Sequence, residues 1–159
     1  MMNPVFTHPI RIYWEDTDAG GIVFYANYLK FMERARTEWL RALGISQQAL
    51  KNETGGMFVV TDTQLKYLAP ARLDDELSVS AQIVEAGKAS MKIRQEIRLS
   101  PANHMRGVLS NQDSSEKQAL WPIICHGTIC IAWVDAASLK PGRIPQHILQ
   151  AMSSEPTHL

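Results

Sequence analysis

The sequence predicts an α+β protein in which one curved antiparallel β-sheet wraps around one long central helix. Three observations carry that prediction. From Asn27 to Leu43, apolar residues recur at three- and four-residue steps over a full helix length. Several later stretches alternate apolar and polar residues, as antiparallel strands with one wet face do. No second long helical pattern lies between those strands, which argues against repeated strand–helix–strand winding.

The first element is a short β-rich run, Ile10 to Trp14, ending in the acid- and glycine-rich EDTDAGG segment, a turn or loop. The helix follows, with Asn27 as its expected cap. Tyr28, Phe31, Met32, Ala35, Trp39, Leu40 and Leu43 form its core face. Lys30, Glu33, Arg34, Arg36, Glu38 and Arg41 form a charged outer face, and Gly44 stands where a glycine stops a helix.

The strands come next. Met57 to Leu68 is β-branched and aromatic, and Leu77 to Val84 alternates. The EAGK segment reads as a hairpin turn into Ala89 to Leu99, with Met91, Ile93, Ile97 and Leu99 on its apolar face. Ile123 to Val134 is apolar on both faces, so it is central or covered by a second copy, and a homo-oligomer is expected. Pro145 to Met152 suits a short terminal helix with proline at its start. The long polar connection at about 100–121 is expected to be a mobile loop, and the end at about 153–159 a mobile tail. Residues 1–159 are read as one domain.

The 159 residues carry 16 Lys+Arg against 16 Asp+Glu, which removes the broad electrostatic case for a nucleic-acid partner. A chain of this length can bury roughly 70% of its unfolded surface, enough to fold without a disulfide or structural metal. Cys125 and Cys130 are five apart in a strand and so face opposite ways, unable to pair; both read as buried, reduced thiols. The N-terminus lacks a signal-peptide pattern and no apolar run is long enough to span a membrane. The expected location is cytoplasmic. The five histidines are scattered, and His126 reads as packed in its strand rather than as a base. No histidine–cysteine spacing suits a metal, and no phosphate-binding glycine loop or nucleophile elbow is present.

The chemistry concentrates in Arg11 to Tyr28, where Asp18 sits in a glycine-rich loop just before the central helix. Free N–H groups at a helix start can hold a developing oxyanion, and a carboxylate beside them can attack a carbonyl or activate a water. Gly20 and Gly21 would shape the loop for close substrate approach. An Asx-type turn, with Asp18 bonded only to its own loop, is the plainer alternative. Asp16 and Glu15 read as solvent-facing acids.

Arg11-Ile12, then Thr17-Asp18, Gly21-Ile22-Val23, an aromatic, and Tyr25-Ala26-Asn27-Tyr28 together resemble the signature of the 4-hydroxybenzoyl-CoA thioesterase family of hotdog-fold proteins. The wider match covers Glu33 to Arg41, Ser46 to Leu50 and Tyr67 to Leu77. Through it the chain is most similar to the Tol–Pal system-associated acyl-CoA thioesterase subgroup. The resemblance implies a hotdog fold, dimers with a continuous sheet and active sites at their interface, and pairing of dimers into a homotetramer. It implies hydrolysis of acyl-CoA to a carboxylic acid and CoA, with no cofactor because CoA belongs to the substrate. The family's carboxylate falls on Asp18, as nucleophile or general base, and the backbone N–H of Tyr25 takes the oxyanion role. Many subgroup relatives carry His at that place, whereas aryl-CoA-hydrolysing members carry Tyr. Lys88 and Ser90 fall in the hairpin that contacts CoA, with Lys140 and Arg143 as further candidate cations. The resemblance also admits acyl carrier protein as a partner and the inner-membrane surface as a location. The rival from another class is an acyl-binding or scaffold protein of the envelope machinery with weak hydrolysis.

Overall fold

Helix α1 (Asn27–Ala42) packs its apolar stripe on an antiparallel sheet of β1 (Phe6–Arg11), β2 (Gly56–Tyr67), β3 (Glu76–Ala86), β4 (Ser90–Leu99) and β5 (Ile123–Asp135). The computed structural model describes residues 3–101 and 115–154. Strand order is β1-β3-β4-β5-β2, so β1 and β2 are the two edges. The register runs Ile10 to Leu77, Ile83 to Ile93, Ile93 to Ile129 and Val60 to Ile131. Alternation explains it: Leu77, Val79, Ala81 and Ile83 of β3 all turn inward beneath α1. This is the curved sheet around a central helix that the sequence predicts.

Tyr28, Phe31, Met32, Ala35, Trp39 and Leu40 are the buried stripe of α1, as the periodicity requires, and Gly44 follows its end. Arg36 departs from its expected outer face. It is half-buried, and its guanidinium donates a 2.7 Å hydrogen bond to Oε1 of Gln95 on β4. Gln95 is 0% exposed. Its Nε2 donates to the carbonyls of Met32 and Ser80, both at 3.1 Å, so its amide is satisfied on both atoms. A polar bridge therefore crosses the helix–sheet core at a position the strand pattern passed over.

Several further expectations are corrected. The first strand ends at Arg11, and Trp14–Asp16 is instead a 3-10 turn. A second helix, α2 (Gln47–Thr54), precedes β2. Ser46 caps it by accepting from the Ala49 N–H, and its short polar sequence carries only Leu50 into the core. Asn27 is the first helical residue, not the cap. Within the long connection, α3 (Ser115–Gln118) is followed by the buried Trp121, whose carbonyl accepts from Arg98 at 2.8 Å. Trp121 is thus packed, although Leu120 beside it is exposed, and residues 102–114 of the expected mobile loop lie outside the described residues. Helix α4 (Gln146–Ser153) runs into the expected tail, of which 155–159 lie outside the described residues. Both cysteines are free thiols, Cys125 buried but Cys130 only half-buried, and His126 is exposed rather than packed. No helix among the described residues is long and apolar enough to cross a membrane.

Candidate active site

The Asp18 loop is a miniature hairpin. Asp18 N–H donates to the Ile22 carbonyl at 2.9 Å, Phe24 N–H to the Asp16 carbonyl at 3.0 Å, and Thr17 bridges Val23. At its tip the Gly21 N–H closes a turn on the Asp18 carbonyl at 3.0 Å. Gly21 holds φ 76°, which an L side chain resists. The Gly20 N–H donates to Asp18 Oδ1 at 2.8 Å, and a Cβ at Gly20 would stand 3.1 Å from that oxygen. The Asx turn is therefore present. It occupies Oδ1 alone, and Oδ2 has no partner among the described residues.

Two tethers hold this hairpin against the fold. At its base, Asp16 is 5% exposed, contrary to its expected solvent-facing position. Its Oδ2 accepts from the Tyr13 N–H at 2.8 Å, while its carbonyl accepts from the Asn27 side chain at 2.9 Å. On the other flank, the segment after β2 clasps it. The Val23 N–H donates to the Ala71 carbonyl at 2.9 Å, and Ala71 N–H to the buried Tyr28 hydroxyl at 3.1 Å. Burial pushes the Tyr28 hydroxyl pKa up, which keeps it neutral.

Tyr25 follows the second arm of the hairpin, two residues before α1 begins. Its N–H donates to nothing among the described residues, and the residue is 64% exposed. Its carbonyl accepts from the Tyr67 hydroxyl at 2.9 Å. Trp14, Phe24, Leu29, Tyr67 and Leu68 are also exposed, so an apolar and aromatic surface surrounds the hairpin. Beneath Tyr28 and Tyr67 lies Cys125, whose thiol is pushed up to about 11 by burial and so stays un-ionised and poorly nucleophilic.

The structure brings Asp18, Gly20, Gly21 and Tyr25 into one loop, but Lys88 and Ser90 lie elsewhere. Arg11, just before the hairpin, pairs with Glu76 at the start of β3, whereas Lys88 follows the far end of β3. At a strand rise of about 3.3 Å the 11 residues of β3 separate the two places by about 33 Å. Lys88 instead joins Arg143, Ile144 and Leu149 around an open cavity of about 430 Å³ beside α4. Lys140 lies in the turn after β5, its carbonyl accepting from Asp135 N–H at 2.9 Å. Among the described residues no group of three or more His, Cys, Asp or Glu is placed to hold a metal. Asn27 and Tyr67 are site-forming residues that sequence reasoning read as a cap and a strand residue. Their only signal was proximity to the Asp18 motif and to the Tyr67–Leu77 match.

A long helix wrapped by a five-stranded antiparallel sheet is the hotdog fold, and here an exposed carboxylate hairpin feeds the helix start. The thioesterase superfamily model matches residues 20–103, and the chain belongs to that superfamily. The acyl-CoA thioesterase YbgC of Haemophilus influenzae is 36% identical over 151 residues, covering 95% of this chain and 96% of its own. An acyl-CoA thioester hydrolase YbgC of Escherichia coli is 36% identical over 149 residues, covering 94% and 96%. In fold, the 4-hydroxybenzoyl-CoA thioesterase of Pseudomonas sp. strain CBS-3 superposes with a TM-score of 0.75 at 18% identity, covering 92% of this chain and 98% of that one. A 1,4-dihydroxy-2-naphthoyl-CoA thioesterase from Synechocystis reaches 0.76 at 19% identity, covering 94% and 96%.

Proposed function

We propose that this chain hydrolyses acyl-CoA thioesters to a carboxylic acid and free CoA, with Asp18 as catalytic carboxylate and the Tyr25 N–H as oxyanion donor. One observation carries the reading: the N–H of Tyr25, an exposed residue two positions before α1 and directly after the Asp18 hairpin, is unpaired among the described residues. A thioester oxygen placed there gains a hydrogen bond and the positive end of the helix as charge develops on it. Asp18 then works in one of two ways. As nucleophile, its oxygen bonds to the carbonyl carbon, the thiolate of CoA leaves, and water cleaves the resulting anhydride. As general base, it takes a proton from the water that attacks the same carbon, and the tetrahedral intermediate then collapses with cleavage of the C–S bond, releasing CoA thiolate, which takes up a proton. Neither route calls for a metal or a prosthetic group.

The reading includes a second copy of the chain. β2 is a 12-residue edge strand with Val60 and Tyr67 exposed, and an uncovered edge of that length invites pairing. Antiparallel pairing of β2 with its copy would extend the sheet and cover the aromatic surface around Tyr25. It would also supply a route for Lys88 and Ser90 to reach CoA, since one chain alone keeps them far from Asp18. Light scattering should give a dimer or tetramer, and a fully active monomer would contradict this part.

The decisive assay is release of free thiol from short, long and aromatic acyl-CoAs and from an acyl carrier protein thioester. Many turnovers per chain on an acyl-CoA support the reading. Stoichiometric binding without turnover would make the chain an acyl-binding scaffold instead.

A further inference from the structure

Resting on the reading of Tyr25 as oxyanion donor, we propose that Tyr67 is a positioning residue, whose hydroxyl holds the Tyr25 backbone so that its N–H stays aimed at the thioester. Tyr67 is the last residue of β2, paired in register with Cys125 of β5, so its backbone belongs to the sheet rather than to the loop. Its hydroxyl donates the 2.9 Å hydrogen bond to the Tyr25 carbonyl.

That bond is the partner the Tyr25 carbonyl has: Tyr25 stands before the N-cap Ala26, outside the hydrogen-bond ladder of α1, and no backbone N–H among the described residues donates to it. Leu29 donates to the Ala26 carbonyl at 3.2 Å, and Asn27 to the Phe24 carbonyl at 2.9 Å. The peptide following Tyr25 is therefore pinned by a side chain from β2 and not by its own helix. The ring of Tyr67 is itself fixed from two sides, edge-on to Tyr25 with centroids 6.3 Å apart and to Tyr28 at 5.5 Å. Tyr28 is buried and bonded to Ala71, so the chain of contacts runs from the core to the oxyanion residue. Desolvation, with Cys125 and Tyr25 adding to it, pushes the Tyr67 hydroxyl upward, which keeps it a donor through the neutral range.

The physical consequence concerns direction more than binding. With the peptide after Tyr25 held, rotation about its backbone is restricted, and the N–H on its other side keeps one orientation. Without the hydroxyl the N–H samples others, and the oxyanion loses part of a preorganised donor while the ground-state thioester loses little.

The test is Tyr67→Phe in the full chain, which keeps the ring and removes the donor, assayed beside Asp18→Asn with one acyl-CoA that the wild type turns over. The expected result is a kcat lower by about tenfold, with KM within about twofold and the melting temperature close to wild type. Tyr67→Leu, which also removes the ring, should lose at least as much kcat. If Tyr67→Phe keeps wild-type kcat while Asp18→Asn is inactive, the positioning role is wrong and the active-site reading stands. If both variants turn over normally, the active-site reading falls and this inference with it. A Tyr67→Phe variant that melts lower and binds more weakly at unchanged kcat makes Tyr67 a packing residue only, which also overturns the proposal.

Discussion

The side-chain amide of Asn27 donates a 2.9 Å hydrogen bond to the main-chain carbonyl of Asp16, joining the first residue of α1 to the base of the Asp18 hairpin. The same carbonyl accepts the Phe24 N–H at 3.0 Å, so one oxygen anchors both the hairpin and the helix start. Asn27 is buried and sits where the helix has no side-chain cap. It thereby ties the start of α1 to the base of the hairpin that carries Asp18.

Asn27→Ala should therefore cost about 1–3 kcal/mol of stability, the range for removing one partner of a buried hydrogen bond. It should also reduce kcat beyond what the loss of folded protein explains. Urea denaturation and steady-state kinetics on the same sample check both. Unchanged kcat per folded chain would detach Asn27 from the site.

The bridge between Arg36 and Gln95 makes a separate prediction about stability. Burial lowers the Arg36 pKa, and Gln95 supplies the acceptor that faces its guanidinium inside the fold. Gln95→Leu strands that cation and should destabilise by about 1–3 kcal/mol. Arg36→Met in the Gln95→Leu background should cost much less than the two single changes added together, because the charge that needed a partner is gone. Additive losses in the double-mutant cycle would contradict the coupling.

The Cys125 thiol gives stability a pH dependence. It ionises near 9.0 when unperturbed and at about 11 in the fold, where burial penalises the anion. Above pH 9 the unfolded chain therefore holds fewer protons at this site than the native one, and stability falls as pH rises from about 9 to 11. Below pH 9 the thiol is protonated in both states and adds no slope. Melting temperatures of wild type and Cys125→Ala should run parallel up to pH 9 and diverge above it, the wild type falling faster. Parallel curves to pH 11 would contradict the burial effect.

Helix α1, four of the strands and their inward faces were legible because amphipathic periodicity reports burial directly, as Phe31, Trp39, Val79 and Ile93 do. What escaped has physical reasons too. α2 is eight residues, six of them polar, with one buried leucine, too little for a periodic signal. Arg36 and Gln95 are long polar side chains that satisfy each other across the core, and composition alone assigns both to the surface. Asp16 is buried because two backbone N–H groups and an amide converge on it, a matter of three-dimensional convergence rather than spacing. The Asp18 loop was legible as a motif, but its tethering through Tyr67 and Ala71 depends on β2 returning beside it.

The central claim is that Asp18 performs the chemistry rather than merely tying its turn through Gly20, and Asp18→Asn separates the two most directly. Asparagine retains an oxygen to accept the Gly20 N–H, so the hairpin should persist, but it cannot serve as nucleophile or base at neutral pH. Turnover, acyl-CoA binding and melting temperature measured on one preparation should show kcat lower by about a hundredfold or more, with binding and melting near wild type. An Asp18→Asn protein that folds, binds and hydrolyses acyl-CoA at the wild-type rate would remove Asp18 from the mechanism.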